Sequence, residues 1–170
     1  MLEFKETQKM TQWWLWLLLA GVVGIWVWGI TQQIILGHPF GNHPMSNTGL
    51  LVSAIFPLAI VAFFYSLTLT TTVNAQGIRL HYAPLTSTQL IWDDIREAEV
   101  VRYRFVGYGI RASPTYGMVY NAKGNTGLLI HKKNGEKFLL GTQQPERLMQ
   151  TVNHFISIDY TSPKVSTPSV

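Results

Sequence analysis

Polar and apolar positions are distributed so unevenly along this chain that the pattern alone divides it in two. No Asp, Glu, Lys or Arg occurs between Lys9 and Arg79. Two apolar runs fill most of that interval, WWLWLLLAGVVGIWVWGITQQIIL at residues 13–36 and GLLVSAIFPLAIVAFFYSLTLT at residues 49–70. An apolar helix of about 20 residues matches a hydrocarbon core of about 30 Å, so each run predicts a transmembrane helix. Between them Gly37, Pro39, Gly41 and Pro44 break the helix and make a short turn. The first 72 residues therefore read as an N-terminal segment followed by a two-helix membrane hairpin.

After Thr68 the period shortens. Thr70 to Val73 is β-prone, Asn74 to Gly77 has the composition of a turn, and Ile78 to Tyr82 alternates apolar and polar side chains as a half-buried strand does. Pro84 ends that strand, and a further one is expected around Gln89 to Trp92. Ala98 to Phe105 alternates again, with Val101, Tyr103 and Phe105 on one face and Arg102 and Arg104 on the other. Short strands follow in the glycine-bearing VGYGIR segment, at Gly117 to Tyr120 and at Thr126 to Lys132. Asn134-Gly135 predicts a type I′ hairpin turn joining Leu128–Lys132 to Lys137–Leu140. Gln143-Gln144-Pro145-Glu146 opens a helix whose apolar face is Leu148, Val152, Phe155 and Ile156, spaced i, i+4, i+7 and i+8. Residues 73–159 then form one small β-barrel or sandwich closed by a C-terminal helix, and the Ser-, Thr- and Pro-rich residues 160–170 are expected to be disordered. The fold class is α+β, with a membrane hairpin ahead of an antiparallel β domain.

Charge adds an orientation. The net charge of +4 lies mostly in the second half. The turn at 37–44 carries no Lys or Arg, whereas Lys5 and Lys9 precede the first helix and Arg79, Arg96 and Arg102 follow the second. By the positive-inside rule both termini face the cytoplasm. Trp13, Trp14 and Trp16 sit where an interfacial aromatic belt belongs. The spans hold no ionisable residue, which argues against a transporter or channel. Pro57 reads as a tolerated kink, and Ala20 with Gly24 forms a small-residue pair in the first helix. The cations are scattered rather than striped, so nucleic acid is not an expected partner. The absence of Cys removes disulfides, thiolate metal sites and a Cys nucleophile.

With those elements in place, the segments GIRLHY (77–82), IWDDI (91–95), GYGIR (107–111) and YNAKGNTGLLIHKKNGEKFLLGTQQPERL (120–148) resemble the bacterial pleckstrin-homology-like (PH-like) proteins, in particular a small membrane-anchored group. The resemblance covers nearly the whole chain, and the last segment is its most specific part. It implies a strongly bent seven-strand antiparallel sheet, with the C-terminal helix plugging one open end through Leu148, Val152 and Phe155. Trp92 and Ile95 would pack inside or at the rim. It implies no catalytic residues. In eukaryotic proteins of this fold a basic loop between the first two strands holds phosphoinositides; the turn Asn74 to Gly77, taken as that loop, carries no Lys or Arg.

Little reactive chemistry is written in the rest. Gly107-Tyr108-Gly109-Ile110-Arg111 lacks the third glycine and the following helix of a nucleotide loop, so a strand bend suits it better. Asp93 and Asp94 are adjacent and point apart on a strand, which suits a turn or cap better than an acid/base pair. His38 and His43 in the turn, and His81, His131 and His154 beyond, show no metal or triad spacing. No cofactor and no catalytic activity are expected. What remains is a membrane-anchored, non-enzymatic interaction module at the cytoplasmic face that binds a protein partner or self-associates. The alternative is an anionic lipid headgroup held by Arg79, Arg102, Arg104, Arg111, Lys132 or Lys133.

Overall fold

A computed structural model describes residues 3–104 and 107–161, with side chains to residue 157. Phe105 of the expected strand and residues 162–170 of the expected tail lie outside the described residues, whereas Tyr160 and Thr161, expected in that tail, are the last residues of the C-terminal helix. The chain divides into two compact units, Met10–Leu67 and the remainder, Met1–Lys9 with Thr68–Val170.

The Met10–Leu67 unit is helical. α1 (Trp13–Ile30) continues into one wide π-helical turn, Thr31–Ile35. α2 (Asn47–Ser53) and α3 (Ile55–Ser66) are separated only at Ala54. That break follows from Pro57, which has no N–H for the carbonyl of Ser53 and kinks the helix one turn upstream. Ser46 caps α2, accepting a hydrogen bond from the Gly49 amide at 3.1 Å. Trp26 donates its indole N–H to Ser53 Oγ at 3.1 Å, and Trp16 meets Tyr65 edge to face at 6.4 Å. The turn beyond the π-helical segment is organised by Gln33. Its amide donates to Met45 O (2.6 Å) and Asn47 Oδ1 (2.9 Å), while its oxygen accepts from Phe40 N. His38 and His43 sit exposed in this irregular turn. Ala20 and Gly24 face outward rather than into the helix–helix contact. The spans Trp13–Ile35 and Asn47–Ser66 are long and apolar enough to cross a membrane. The second run ends at Ser66, short of residue 70, because Thr68 and Leu69 already belong to a strand.

The other unit holds nine strands and one helix among the described residues. β1 (Phe4–Lys9), β2 (Thr68–Asn74), β3 (Gly77–Ala83) and β4 (Thr86–Leu90) form an antiparallel meander in sequence order. β1 is absent from the sequence-based expectation, which left residues 1–11 with the membrane segment. It forms because Phe4, Glu6 and Gln8 alternate inward against Val73, Thr71 and Leu69 of β2, with Lys5, Thr7 and Lys9 outward. The first two strands are thus β1 and β2, and the turn Asn74–Gly77 is the second connection, not the first. A one-turn 3-10 segment, Trp92–Asp94, leads to the second sheet, where the strand expected at Gln89 to Trp92 has already ended at Leu90.

The second sheet contains β5 (Ile95–Arg102), β6 (Gly109–Ser113), β7 (Gly117–Asn121), β8 (Thr126–Lys132) and β9 (Lys137–Gly141) in the order β5-β8-β9-β7-β6. β7 pairs with β9 in parallel. The expected single seven-strand antiparallel sheet is therefore corrected: the described residues form nine strands in two separate sheets, and one pair is parallel. The β6–β7 hairpin interrupts the chain between β5 and β8 and attaches beyond β9 through β7, whose direction makes that pair parallel. Without that hairpin, β1 to β4 with β5, β8 and β9 make seven strands, each antiparallel to its neighbours. Neither sheet closes on itself.

The Asn134-Gly135 hairpin occurs where expected, but not as a type I′ turn. Only glycines have positive φ among the described residues, and Gly135 (φ 89°) alone supplies it in this turn. Gly135 N donates to Lys132 O at 3.1 Å and Lys132 N to Glu136 O at 2.9 Å. This is a three-residue loop whose bulge glycine follows a type I turn.

α4 (Pro145–Thr161) packs against β1, β2, β5 and β8 and so joins both sheets to one core. Leu148 and Val152 are fully buried with Leu69, Val73, Ile78, Leu80, Leu128, Ile130 and Leu140. Trp92 is half-buried, stacks on Phe155 at 5.4 Å and donates to Asn74 O at 3.0 Å; Ile95 is buried. On the opposite face of the second sheet Tyr103, Val119, Leu129 and Leu139 form a smaller cluster covered by Val101 and Tyr116. The entry to α4 is tied to the N-terminus of the chain. The buried Glu6 carboxylate accepts from Thr142 Oγ1 at 2.5 Å and from Gln143 N at 2.8 Å, and Gln8 donates to Gly141 O at 2.8 Å. Thr142 Oγ1 in turn accepts from Gln144 N at 3.0 Å. These polar ties explain why a strand with a largely polar inward face stays docked.

Candidate functional site

The chemistry-bearing side chains concentrate where β5 ends and the β7–β8 connection passes beside it. Tyr103 N donates to Asn125 O at 3.0 Å, extending the β5·β8 pairing by one residue into the loop. Asn121, fully buried at the end of β7, then fastens two loops together. Its Nδ2 donates to Gly107 O and Gly124 O, each at 3.2 Å, and its Oδ1 accepts from Lys123 N at 3.1 Å. Gln143 adds a hydrogen bond to Lys123 O at 2.8 Å. A single buried amide with three satisfied bonds fixes both walls, and such networks hold loops in one geometry.

The result is a groove of about 550 Å³ lined by Arg102, Tyr103, Arg104, Tyr108, Gly124 and Asn125. No carboxylate is among these lining residues. Arg111 lies beside it: its guanidinium folds over Gly107, which has positive φ (88°), into the space a Cβ there would take, and reaches Tyr108 O at 3.4 Å. Lys123 stands exposed on the bounding loop. Among the described residues no ion pair engages Arg102, Arg104, Arg111 or Lys123. Tyr103 is buried with its hydroxyl unpartnered among the described residues. Burial, and to a lesser degree the neighbouring Tyr108, push its ionisation up to about 12, so the phenol stays a protonated donor.

The six basic residues singled out from sequence fall into three places. Arg102 and Arg104 line the groove and Arg111 borders it. Arg79 lies apart on the outer face of β3, bonded across the strand to Gln89 Oε1 at 3.1 Å. Lys132 and Lys133 belong to the β8–β9 hairpin. Lys132 is held there by Glu136 (3.0 Å) and Asp94 (3.9 Å) and lies 5.9 Å from the Phe138 ring centre, so it clasps the hairpin. The Glu136 carboxyl is kept below its usual range by the Asn134 side chain and by Lys132. Lys123 and Asn121 were missed, although the Asn-x-Lys-Gly turn was visible; nothing local said that it would fold beside Arg102. Asp93 and Asp94 are both exposed on the 3-10 turn, and the Gly107–Arg111 segment is a bend entering β6.

Comparison with protein-family models and with curated proteins gives no match for this chain.

Proposed function

We propose that this is a membrane-anchored, non-enzymatic interaction module: a two-span hairpin carrying a PH-like β unit at the cytoplasmic face of a bacterial plasma membrane, where it holds a protein partner or a second copy of itself. The observation that carries the reading is the uncovered apolar surface of both spans. Only 17% and 11% of their most apolar windows are buried, and Leu17, Trp28, Ile55 and Phe56 are mostly exposed. The core helix of a water-soluble protein would have these side chains covered, since each one left in water forgoes about 1.5–3 kcal/mol.

The strand register supports a hairpin rather than a single crossing. Lys9 and Thr68 are direct partners in the β1·β2 ladder, about 5 Å apart. Only Met10–Gln12 separate β1 from α1, and only Leu67 separates α3 from β2. Two helices that leave and re-enter one strand pair must both cross or neither cross. The cations flanking the hairpin and absent from its turn favour the cytoplasm for the β unit. The PH-like reading draws on the seven antiparallel strands and the C-terminal helix. On that reading the hairpin occupies the connection between the first two strands, the one that carries ligand in eukaryotic proteins of the fold. Short connections hold the β unit near the bilayer and raise its effective concentration for membrane-bound partners.

The test combines extraction with cross-linking. The chain should resist carbonate washing of vesicles, and a photo-cross-linker on the β unit should trap a discrete adduct. A version with residues 10–67 replaced by a two-residue turn should be soluble and lose that adduct. Release of the intact chain by carbonate, or an undiminished adduct from the soluble version, overturns the proposal.

A further inference from the structure

We infer that the groove between the end of β5 and the β7–β8 loop is a binding site for a phosphoryl-bearing anion, a phosphate ester of a small polyol. Two cations, Arg102 and Arg104, line it; Arg111 lies against Gly107 and Tyr108 beside it, and Lys123 is exposed on the loop whose next residue, Gly124, is part of the lining. None has an ion-pair partner among the described residues, and no carboxylate lines the groove. Guanidinium groups pair with phosphate oxygens through two parallel N–H bonds, which a single surface lysine cannot supply.

Like charges gathered this way repel one another, and an unoccupied protein gains nothing from the arrangement. Nor is it a by-product of loose loops. Asn121, fully buried, spends its whole side chain holding Gly107 and Lys123–Gly124 in register, and Gln143 braces Lys123 from the other side. Gly107 is the residue that lets the Arg111 guanidinium lie against the loop. Tyr103, also among the lining residues, is anchored in the apolar cluster with Val119, Leu129 and Leu139 and so fixes the backbone between the two arginines. The other basic residues show what a structural cation looks like in this fold. Lys132 has two carboxylates within 4 Å, and Arg79 has Gln89. A volume of about 550 Å³ admits a phosphate together with its polyol rather than a bare ion alone.

This site belongs to the β unit and does not depend on whether the hairpin crosses a bilayer. Glycerol phosphate could reach it as a free solute or as the headgroup of a phospholipid, and the same experiment separates the two. Full-length chain is placed in discs of phosphatidylcholine and titrated calorimetrically with glycerol phosphate, then in discs containing phosphatidylglycerol. Binding in the first discs, weakened at least about tenfold by the pair Arg102→Gln with Arg104→Gln, is expected, two charged donors being lost. The pair Lys132→Gln with Lys133→Gln should change it less than about twofold. Asn121→Ala, which leaves every cation in place, should weaken binding with less change in its salt dependence than the arginine pair, since no counter-charge is removed. Weaker apparent binding in phosphatidylglycerol discs identifies the headgroup as the occupant; equal binding in both identifies the free ester. No binding in phosphatidylcholine discs, or equal weakening by the arginine and lysine pairs, overturns the site.

Discussion

Replacing Glu6 by Ala should loosen the start of α4, at the other end of the sequence. Glu6 is buried on β1, and its two carboxylate oxygens hold Thr142 Oγ1 at 2.5 Å and Gln143 N at 2.8 Å. A hydrogen bond to a charged group contributes about 1.5–3 kcal/mol. Two such bonds give an upper bound of about 3–6 kcal/mol. Thr142 is buried whereas the Gln143 amide lies nearer solvent, so water can replace one of the two. A loss of about 3 kcal/mol is therefore expected, large against a total domain stability of about 5–15 kcal/mol. Glu6→Gln keeps one acceptor oxygen for Gln143 N and should cost about 1–2 kcal/mol. Amide exchange of the full-length chain in detergent micelles, resolved by peptide, reads the effect directly. At about 1.4 kcal/mol per decade, exchange should quicken roughly 100-fold in Glu6→Ala at β1 and across residues 142–148 together. Faster exchange confined to β1, with 142–148 unchanged, would refute the idea that the carboxylate couples strand to helix.

Further outcomes follow from burial and charge. Tyr103 should ionise late in an alkaline absorbance titration, near 12 against about 10 in the unfolded chain. Because its folded value is raised, its contribution to stability is complete below about pH 10 and disappears as pH rises towards 12; Tyr103→Phe should delete that late step. Leu148→Ala empties a fully buried position between the two sheets and should cost about 2–5 kcal/mol in denaturant unfolding, with loss of the Trp92–Phe155 stacking signal. Lys132→Ala, by contrast, removes only partly exposed ion pairs and should change stability by about 1 kcal/mol or less in the same assay.

What could be read from sequence depended on whether a feature was local. The charge-free interval located both spans, because bilayer-length apolar runs need no tertiary information. Their limits were less legible: Leu69 prolongs the second run although it faces the core of a sheet. β1 was invisible because Glu6 and Gln8, the residues that mark its inner face, are polar and are satisfied by partners at 141–143. The Asn-Gly hairpin was found but its type was not, since loop length, set by the His131–Lys137 register, decides that. The β6–β7 strands could be recognised by alternation, but their attachment through a parallel β7·β9 pair could not. The groove shows the same division. Arg102, Arg104 and Arg111 stand out as cations in the chain, whereas Lys123 and the Asn121 brace acquire meaning only when two distant loops meet.

The Lys9–Thr68 pairing also constrains the order in which the molecule can be made. β1 is synthesised before β2, the strand it pairs with, and the whole of Met10–Leu67 lies between them. If both helices enter the bilayer as proposed, β1 must remain on the side where β2 will appear. A miswired chain with one helix inserted would strand β1 across the membrane from β2, leaving the first sheet without an edge and Thr142 without Glu6. On the proposed topology, that sheet can be completed only when both helices have crossed or neither has.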